Sequence, residues 1–336
     1  MRHALGVDGG ATKTMAVIGD ETGKVLGAGV GGPTNYQLNG LEEAMRHLNG
    51  AVSMALGTAG LEPDRIDNAV FGMAGADYPV DFASFKDGIS GLYPGLKFTV
   101  TNDTWVGFRA GTEKDFGGVV ISGTGANFAA AGTDGRKVTG RGMGYEWGSE
   151  GGAGSLIRQV VHYAFRSHDG TGPKTGLEDA VLKLLEFPSY DELSLYMYRV
   201  HGEFGHIYMR VAQLVPALFE LAFKGDQVAQ DILVRTGTAM GEIVGGLMAR
   251  VGMQGIPADV VLGGTSLTKG VCPLMVSALR MACQRLIPLA SFRPVEMEPA
   301  AGGLLMALER FGLDVKGSVR QTVIGTFPEL PDMPVI

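Results

Sequence analysis

The chain has 336 residues, of which 45% are hydrophobic and 19% are charged, a composition typical of globular proteins with more than one domain. Its formal net charge of −7 argues against a nucleic-acid partner, because there is no basic field to collect phosphates. No stretch approaches about 18 uninterrupted apolar residues, so no transmembrane helix and no membrane partner are expected. The chain starts directly with a predicted strand and has two cysteines, and we therefore expect a cytoplasmic protein.

The first predicted elements are two strands joined by a glycine-rich turn, over residues 5–18. The stretch Gly-Val-Asp-Gly-Gly-Ala-Thr-Lys-Thr lies between apolar runs and indicates a hairpin whose backbone N–H groups can approach a phosphate. Asp8 is a candidate for holding a water on Mg²⁺, and Thr14 would add a hydroxyl donor. The other candidate phosphate-binding residues are Gly9, Gly10, Thr12 and Lys13. A plain hairpin with a glycine turn is the alternative.

The first half continues as short strands and amphipathic helices in the order βββαβαβα. After the opening hairpin, strands are predicted at residues 24–30, 66–73 and 97–100, and helices at 41–56 and 80–92. Asp103 then ends a strand and starts a helix, at the edge where open α/β sheets bind ligands. It is a candidate general base, with Asn102 orienting the substrate. The alternative is that Asp103 only caps its helix.

Residues 112–116 are the predicted linker, and the pattern of the first half then begins again. Residues 117–128 have the same form of strand, small and hydroxyl-rich turn, and strand. Each glycine turn is followed by a second hairpin signal of the same type, at residues 20–24 and 133–137. The candidate phosphate-binding residues of this second turn are Ser122, Gly123, Thr124 and Gly125. The pattern predicts an internal repeat of a whole subdomain.

The remainder of the chain is predicted to be largely helical. A glycine-rich loop at 140–155 leads into a helix and contains Glu146 and Glu150, which the sequence alone indicates to be solvated surface acids. A helical insertion is expected at about 170–225, with His201 and His206 as surface or packing residues. Further helices are predicted at 226–252, 272–286 and 300–311, and strands at 259–262 and 292–297. Gly263, Gly264 and Thr265 follow a strand and could contact adenosine or form an ordinary loop. The tail from Ser318 shows no helix or strand pattern.

These motifs together resemble the N-acetylglucosamine kinase and BadF/BadG/BcrA/BcrD ATPase family, within the superfamily of actin, sugar kinases and chaperone ATPases. The resemblance spans residues 1–311. It implies an α/β fold of two actin-like, ribonuclease H-like lobes, each with a mixed five-stranded sheet flanked by helices, and a nucleotide in the cleft between them. The lobes would comprise residues 1–114, completed by a C-terminal helix at about 299–315, and residues 115–298.

The resemblance also implies roles for individual residues. The two hairpin loops match the phosphate motifs of the family, and residues 263–265 match its adenosine motif. Asp103 matches the catalytic base, and the Asn102–Asp103 pair is similar to a sugar-contacting pair. Asn35 and Asn127 match amino-sugar contacts. The family usually has Gly-Asp-Glu-Gly where this chain has Gly-Ser-Glu-Gly at 148–151, so Ser149 or Glu150 would have to contact the sugar instead.

The implied activity is ATP- and Mg²⁺-dependent phosphorylation of an amino sugar at its 6-hydroxyl, with N-acetylglucosamine or glucosamine as substrate. We expect a homodimer. The alternative is an activator ATPase that drives a partner reductase or dehydratase through an iron–sulfur cluster between subunits. That cluster needs cysteine ligands, and Cys272 and Cys283 lie in an apolar helical pattern typical of buried thiols. A sugar-binding sensor without turnover is less compatible with an intact Asp103.

Overall fold

The computed structural model describes residues 1–200 and 208–328. His201 and His206, for which the sequence predicts surface or packing roles, and the end of the tail lie outside these ranges. Within them, no helix is long and apolar enough to cross a membrane.

Residue contacts divide the chain into two compact units. Unit 1 comprises Met1–Asp115 and the chain from Arg293 onward, and unit 2 comprises Phe116–Phe292. The first crossing lies inside the predicted linker. The second crossing lies inside the last strand, Ala290–Pro294, so the C-terminal helices belong to unit 1.

Both units are built from strands and helices. The strands are β1 (His3–Gly9), β2 (Thr14–Asp20), β3 (Val25–Gly31), β4 (Asn68–Met73), β5 (Phe98–Asn102), β6 (Gly117–Ser122), β7 (Ala126–Ala131), β8 (Lys137–Thr139), β9 (Ala258–Gly263) and β10 (Ala290–Pro294). The helices are α1 (Tyr36–Asn39), α2 (Leu41–Ala59), α3 (Pro79–Leu92), α4 (Asp103–Gly111), α5 (Ala153–His168), α6 (Leu177–Leu185), α7 (Tyr190–Arg199), α8 (Tyr208–Ala212), α9 (Leu214–Phe223), α10 (Gln227–Arg250), α11 (Thr265–Thr268), α12 (Leu274–Leu286), α13 (Pro299–Glu309) and α14 (Ser318–Thr326).

The two sheets have the same topology. The order in unit 1 is β3-β2-β1-β4-β5, and in unit 2 it is β8-β7-β6-β9-β10. In each, the first two strands form an antiparallel hairpin and the central strand pairs in parallel with the fourth strand of the unit. The predicted internal repeat and the predicted α/β fold with two mixed five-stranded sheets are therefore confirmed.

The sheet of unit 1 is buried on both faces, as the alternation of side chains along its strands requires. On β2, Ala16 and Ile18 face a core formed with α2 and α3. The intervening Met15 and Val17 face a second core formed with α4 and α13. Helix α13 thus returns from the end of the chain to cover the face of the sheet that α2 leaves open.

Several of the 53 glycines allow close packing of backbones. Gly237 and Gly241, one turn apart on α10, lie against the backbone of α12, where an added Cβ would meet main-chain atoms. Cys283 is buried on α12 at this contact, and burial raises the pKa of its thiol to about 12. Cys272 is also buried and reduced.

The structure adds one element that the sequence pattern did not reveal. Helix α14 carries Arg320, which is 2% exposed and donates to the backbone oxygens of Arg109 (2.9 Å) and Ala110 (2.6 Å). The same guanidinium pairs with Glu296 at 2.9 Å. Arg320 therefore connects the C-terminal end of α4 to α14, near the end of the chain, and to Glu296, near the start of the C-terminal segment of unit 1.

Candidate active site

The first glycine turn connects β1 to β2 in unit 1. The N–H of Gly10 donates to the carbonyl of Lys13 (2.9 Å), which closes the turn between the paired residues Gly9 and Thr14. Thr12 is partly exposed in this turn. Thr14 is instead buried, and its hydroxyl donates to the carbonyl of Gly32 at 2.8 Å. Thr14 therefore cannot serve a phosphate as a hydroxyl donor, and that prediction is wrong.

Asp8 lies beside this turn among other charged groups. Burial raises its pKa to about 8, and the negative charges of Asp103 and Glu298 act in the same direction. Lys13 opposes the shift, and its Nζ lies 4.0 Å from the carboxylate of Glu298. A site that concentrates negative charge around a partly buried carboxylate is suited to a cation. Glu298, which precedes α13, has no sequence signal that points to it.

Asp103 is the first residue of α4, but it is not the residue that caps this helix. The N-cap is Asn102, whose Oδ1 accepts from the N–H (3.0 Å) and the hydroxyl (2.5 Å) of Thr104. The structure therefore removes the alternative in which Asp103 is only a cap. The carboxylate of Asp103 is half-buried at the carboxyl end of β5.

The side chain of Asn102 is 3% exposed and belongs to a buried polar network. Its Nδ2 donates to Oδ1 of Asp77 at 2.8 Å, in the loop after β4. The backbone N–H of Asp77 in turn donates to Asp81 at 3.1 Å. Desolvation and the charge of Asp81 raise the pKa of Asp77. The network ties the loop after β4 to the start of α4, and sequence spacing alone does not reveal it.

Asn35 lies at the other end of the same network. Its Oδ1 accepts from the N–H of Gln37 (3.1 Å), so it caps the short helix α1. The next residue, Tyr36, donates its hydroxyl to Asp81 at 2.5 Å. Gly75, in the loop after β4, approaches the amide of Asn35 closely and has a φ of +79°. Asn35, Asp77 and Asp103 are thus brought to one edge of the unit 1 sheet.

The second glycine turn connects β6 to β7 in unit 2. The hydroxyl of Ser122 is buried and donates to the carbonyl of Gly151 at 2.5 Å. The N–H of Ala153 donates to the carbonyl of Gly123 at 2.9 Å. Thr124 and Gly125 are exposed at the tip of the turn. The start of α5 therefore supports the turn from behind and leaves its tip open.

A third loop, between β9 and α11, contacts the same turn. Gly264 has a φ of +85°, and an added Cβ would collide with the backbone of Ser122, so only glycine fits at this close approach. Gly263 ends the buried strand, and Thr265 begins α11 with its side chain exposed. All of the nucleotide-binding residues predicted in unit 2 therefore lie on adjoining loops.

The predicted sugar contacts of unit 2 lie next to these loops. The Oδ1 of Asn127 accepts from the N–H of Phe128 at 3.0 Å and lies near Gly142 of the glycine-rich loop. Ser149 is buried in that loop. The Oε1 of Glu150 accepts from Gln159 at 3.1 Å, which directs it toward α5. Glu150 is therefore part of an internal network rather than a freely solvated acid.

Comparison with known proteins agrees with this arrangement. Residues 5–307 match the sequence model of the BadF/BadG/BcrA/BcrD ATPase family. The N-acetylmuramic acid/N-acetylglucosamine kinase of Clostridium acetobutylicum is 32% identical over 233 residues, which cover 69% of this chain and 75% of that protein. The N-acetyl-D-glucosamine kinase of Dictyostelium discoideum is 26% identical over 319 residues, covering 90% of this chain and 97% of that protein.

A solved structure from Chromobacterium violaceum, provisionally described as an N-acetylglucosamine kinase, has a TM-score of 0.67 at 21% identity and covers 91% of this chain and 99% of that chain. At that identity the likeness concerns the fold. The family match extends over most of the sequence and includes the glycine turns of both units, so the predicted resemblance is confirmed: the chain belongs to the BadF/BadG/BcrA/BcrD ATPase family.

Proposed function

We propose that this chain is an ATP-dependent carbohydrate kinase that transfers the γ-phosphate of ATP to the 6-hydroxyl of an amino sugar, N-acetylglucosamine or glucosamine. Similar proteins of assigned function are kinases of N-acetylmuramic acid, N-acetylglucosamine or glucosamine. The division into two units supports a two-lobed kinase. We further propose that the protein is cytoplasmic and that it acts as a homodimer. Light scattering of the purified protein would test the dimer.

The observation that carries this proposal is the placement of Asp103. Because Asn102 caps α4, the carboxylate of Asp103 is not used for the cap. It lies at the carboxyl end of β5, which pairs with β4, the strand that leads into the loop of Asp77. The strand that carries Asp8, β1, pairs with the other edge of β4. A carboxylate held there can accept the proton of an attacking hydroxyl as the phosphoryl group is transferred. Positioning and electrostatic stabilisation supply most of the remaining acceleration in phosphoryl transfer.

The glycine turns are assigned to the phosphates of ATP. In the first turn, Gly9 and Gly10 would offer backbone donors, with Thr12 and Lys13 beside them. In unit 2, residues 122–125 would bind phosphate and residues 263–265 the adenosine. The hydroxyl of Ser122 already bonds to Gly151, so Ser122 would act by shaping its turn.

Asp8 would hold Mg²⁺ through a water molecule. Among the described residues, no three His, Cys, Asp or Glu side chains form a metal-binding group. Mg²⁺ in kinases is typically bound by one or two carboxylates, water and substrate phosphates, and the single Asp8 beside a phosphate turn fits that pattern. Bound Mg²⁺ would neutralise charge on the phosphates. Asp8→Ala should weaken Mg²⁺-ATP much more than metal-free ATP in calorimetry, and an equal loss of both would contradict this role.

The residues assigned to the sugar are those that the sequence predicts. Asn35 and Asn127 can pair with an acetamido group, which carries one donor and one acceptor. Ser149 and Glu150 would contact sugar hydroxyls from the glycine-rich loop. Asn102 makes its bonds inside the protein, so we assign it the task of orienting Asp103 next to the substrate.

A substrate panel tests the proposed activity. ADP release should be measured with N-acetylglucosamine, glucosamine, N-acetylmuramic acid and glucose, and the position of the new phosphate ester should be determined by NMR. We expect turnover with an amino sugar and an ester at carbon 6. ATP hydrolysis that no sugar accelerates would contradict the proposal.

The activator ATPase is less well supported by the structure. A cluster shared between subunits needs thiolates at a surface. Both cysteines are buried in unit 2, and Cys283 lies at the contact of α12 with α10. Iron analysis of protein purified without oxygen separates the two functions, since an activator would contain stoichiometric iron.

A further inference from the structure

The hydroxyl of Thr14 has partners to which the proposed function gives no role. Thr14 is the first residue of β2, directly after the first glycine turn, and it is fully buried. Its Oγ1 lies 3.0 Å from the Oγ1 of Thr34, which is also fully buried, and 2.8 Å from the carbonyl oxygen of Gly32. Because a hydroxyl can donate and accept at the same time, these three groups can form one continuous chain of hydrogen bonds.

Thr34 also contacts the first glycine turn through its backbone. Its N–H donates to the carbonyl of Gly10 at 3.0 Å. A Cβ added to Gly9 would lie 2.5 Å from the Oγ1 of Thr34, so a glycine at this position leaves room for the threonine. Thr34 therefore bonds to Gly10 near the start of the turn and to Thr14 at its end.

The loop that contains Thr34 also positions Asn35. Residues 32–35 connect β3 to α1, and Asn35 follows Thr34 directly as the N-cap of α1. The other part of the loop is held by α2, where the Nδ1 of His47 lies 2.7 Å from the carbonyl oxygen of Pro33. Because Thr34 and Asn35 are adjacent, a displacement of Thr34 relative to the turn would also displace Asn35.

We propose that Thr14 and Thr34 are positioning residues that couple the first glycine turn to Asn35. A phosphate that fixes the backbone of the turn also fixes the groups to which Thr34 bonds, and so orders the loop at residues 32–35. The inference rests on the proposed function for its two ligands, ATP and an amino sugar. Binding of the nucleotide should then strengthen binding of the sugar, and by linkage the sugar should strengthen binding of the nucleotide by the same factor.

The experiment uses the full-length protein and three variants. Thr14→Val removes the hydroxyl at nearly constant volume, and Thr14→Ser keeps it. Thr112→Val is the matched control, because Thr112 is a buried threonine at the end of α4 whose hydroxyl accepts from the N–H of Lys114. The first measurement is amide hydrogen exchange of residues 32–37, with and without Mg²⁺ and the β,γ-imido analogue of ATP.

The nucleotide analogue should slow exchange in residues 32–37 of the wild type by roughly threefold or more. Thr14→Ser and Thr112→Val should keep this protection, and Thr14→Val should lose most of it. Protection that is absent from the wild type, or equally large in Thr14→Val, would overturn the proposal. This measurement needs neither sugar nor turnover, so it decides the coupling even if the chain phosphorylates no sugar.

Steady-state kinetics with N-acetylglucosamine form the second measurement. Thr14→Val should raise the KM for the sugar by about threefold to tenfold, as expected when one hydrogen bond no longer holds a contacting group, with kcat and the KM for ATP within about twofold of the wild type. Thr14→Ser should restore the sugar KM. Equal increases in both KM values, or the same increase in Thr112→Val, would reduce Thr14 to a structural role and overturn the proposal.

A further variant covers the case in which Thr14→Val does not fold. Thr34→Val removes the other hydroxyl and leaves the bond from Thr14 to the carbonyl of Gly32 in place. It should show the same loss of nucleotide-dependent protection and the same selective increase in the sugar KM. Wild-type behaviour of Thr34→Val in both measurements would overturn the proposal.

Discussion

The Nδ2 of Asn102 donates a hydrogen bond of 2.8 Å to the carboxylate of Asp77. Through its Oδ1 the same amide caps α4, whose first residue is Asp103. Asp77 therefore positions the amide of Asn102, and Asn102 in turn positions Asp103, the proposed base. Because the backbone of Asp77 is itself held by Asp81, the chain of contacts reaches from the loop after β4 to the start of α4.

Asp77→Ala should lower kcat about tenfold while the KM for ATP stays near the wild-type value, since the change loosens Asn102 and not the phosphate turns. Asp77→Asn keeps an acceptor and should retain most of the activity. Steady-state kinetics of both variants check this, with Asp87→Asn, a change of an exposed residue of α3, as control. Equal losses in the Ala and Asn variants would contradict a positioning role.

Asp8 should make the nucleotide-free protein less stable as the pH rises. Its pKa is about 3.8 in the unfolded chain and about 8 in the folded one, so the folded state binds more protons between these values and stability falls with increasing pH. Asp8→Asn should therefore gain stability relative to the wild type, and the gain should be larger at pH 8 than at pH 5 by about 1 kcal/mol or more.

Urea unfolding without Mg²⁺ or nucleotide, at pH 5 and pH 8, measures this difference. Asp87→Asn removes an exposed carboxylate and should show no such pH dependence. A gain for Asp8→Asn that is equal at both pH values would show that Asp8 is not perturbed as described.

Much of the fold could be predicted because its signals are local. The two glycine turns and the trailing turns at 20–24 and 133–137 are set by a few neighbouring residues, and the matched hairpins led directly to the repeat. Helix and strand bounds differ from the prediction by a few residues, since ends depend on caps. The start of α4 is an example: Asn102 and Asp103 are both favourable caps, and only the geometry separates them.

What could not be predicted depends on contacts between distant parts of the chain. Glu298 affects Asp8 although 290 positions separate them in sequence. Arg320 bonds to Arg109 across 211 positions, and its helix has no clear amphipathic pattern. Thr14 has the residue type of a phosphate donor, yet the pleat of β2 turns it inward. Contacts of this kind cannot be predicted from any short stretch of the sequence.

Arg320→Met should destabilise unit 1. The change leaves two backbone oxygens at the end of α4 without their donor and removes the partner of Glu296, which costs about 2 to 4 kcal/mol. Thermal unfolding should show a decrease in Tm of several degrees. Arg310→Met, which changes an exposed arginine after α13, is the matched control, and similar Tm values for the two variants would refute the assignment.

Asn35 should select for the acetamido group of the sugar. Its Oδ1 accepts from the N–H of Gln37, and its amide nitrogen can donate to the substrate carbonyl. We expect N-acetylglucosamine to be preferred over glucose by at least roughly tenfold in kcat/KM, because a site built for a polar group rejects an analogue that lacks it. Asn35→Ala should narrow this preference.

Asn35→Asp separates this role from capping, since aspartate caps α1 equally well but has no amide donor. If the preference narrows in both variants, Asn35 contacts the sugar. A preference that Asn35→Asp leaves unchanged would restrict Asn35 to stabilising its turn.

The most direct measurement of the central claim is the turnover of Asp103→Asn on the amino sugar that the substrate panel identifies. The variant keeps the size of the side chain, and Asn102 still caps α4, so the fold and the binding of ATP should be preserved. We predict that kcat falls by about 10²-fold or more while ATP affinity, measured by calorimetry, changes little. Turnover within a few-fold of the wild type would show that Asp103 is not the general base and would contradict the mechanism.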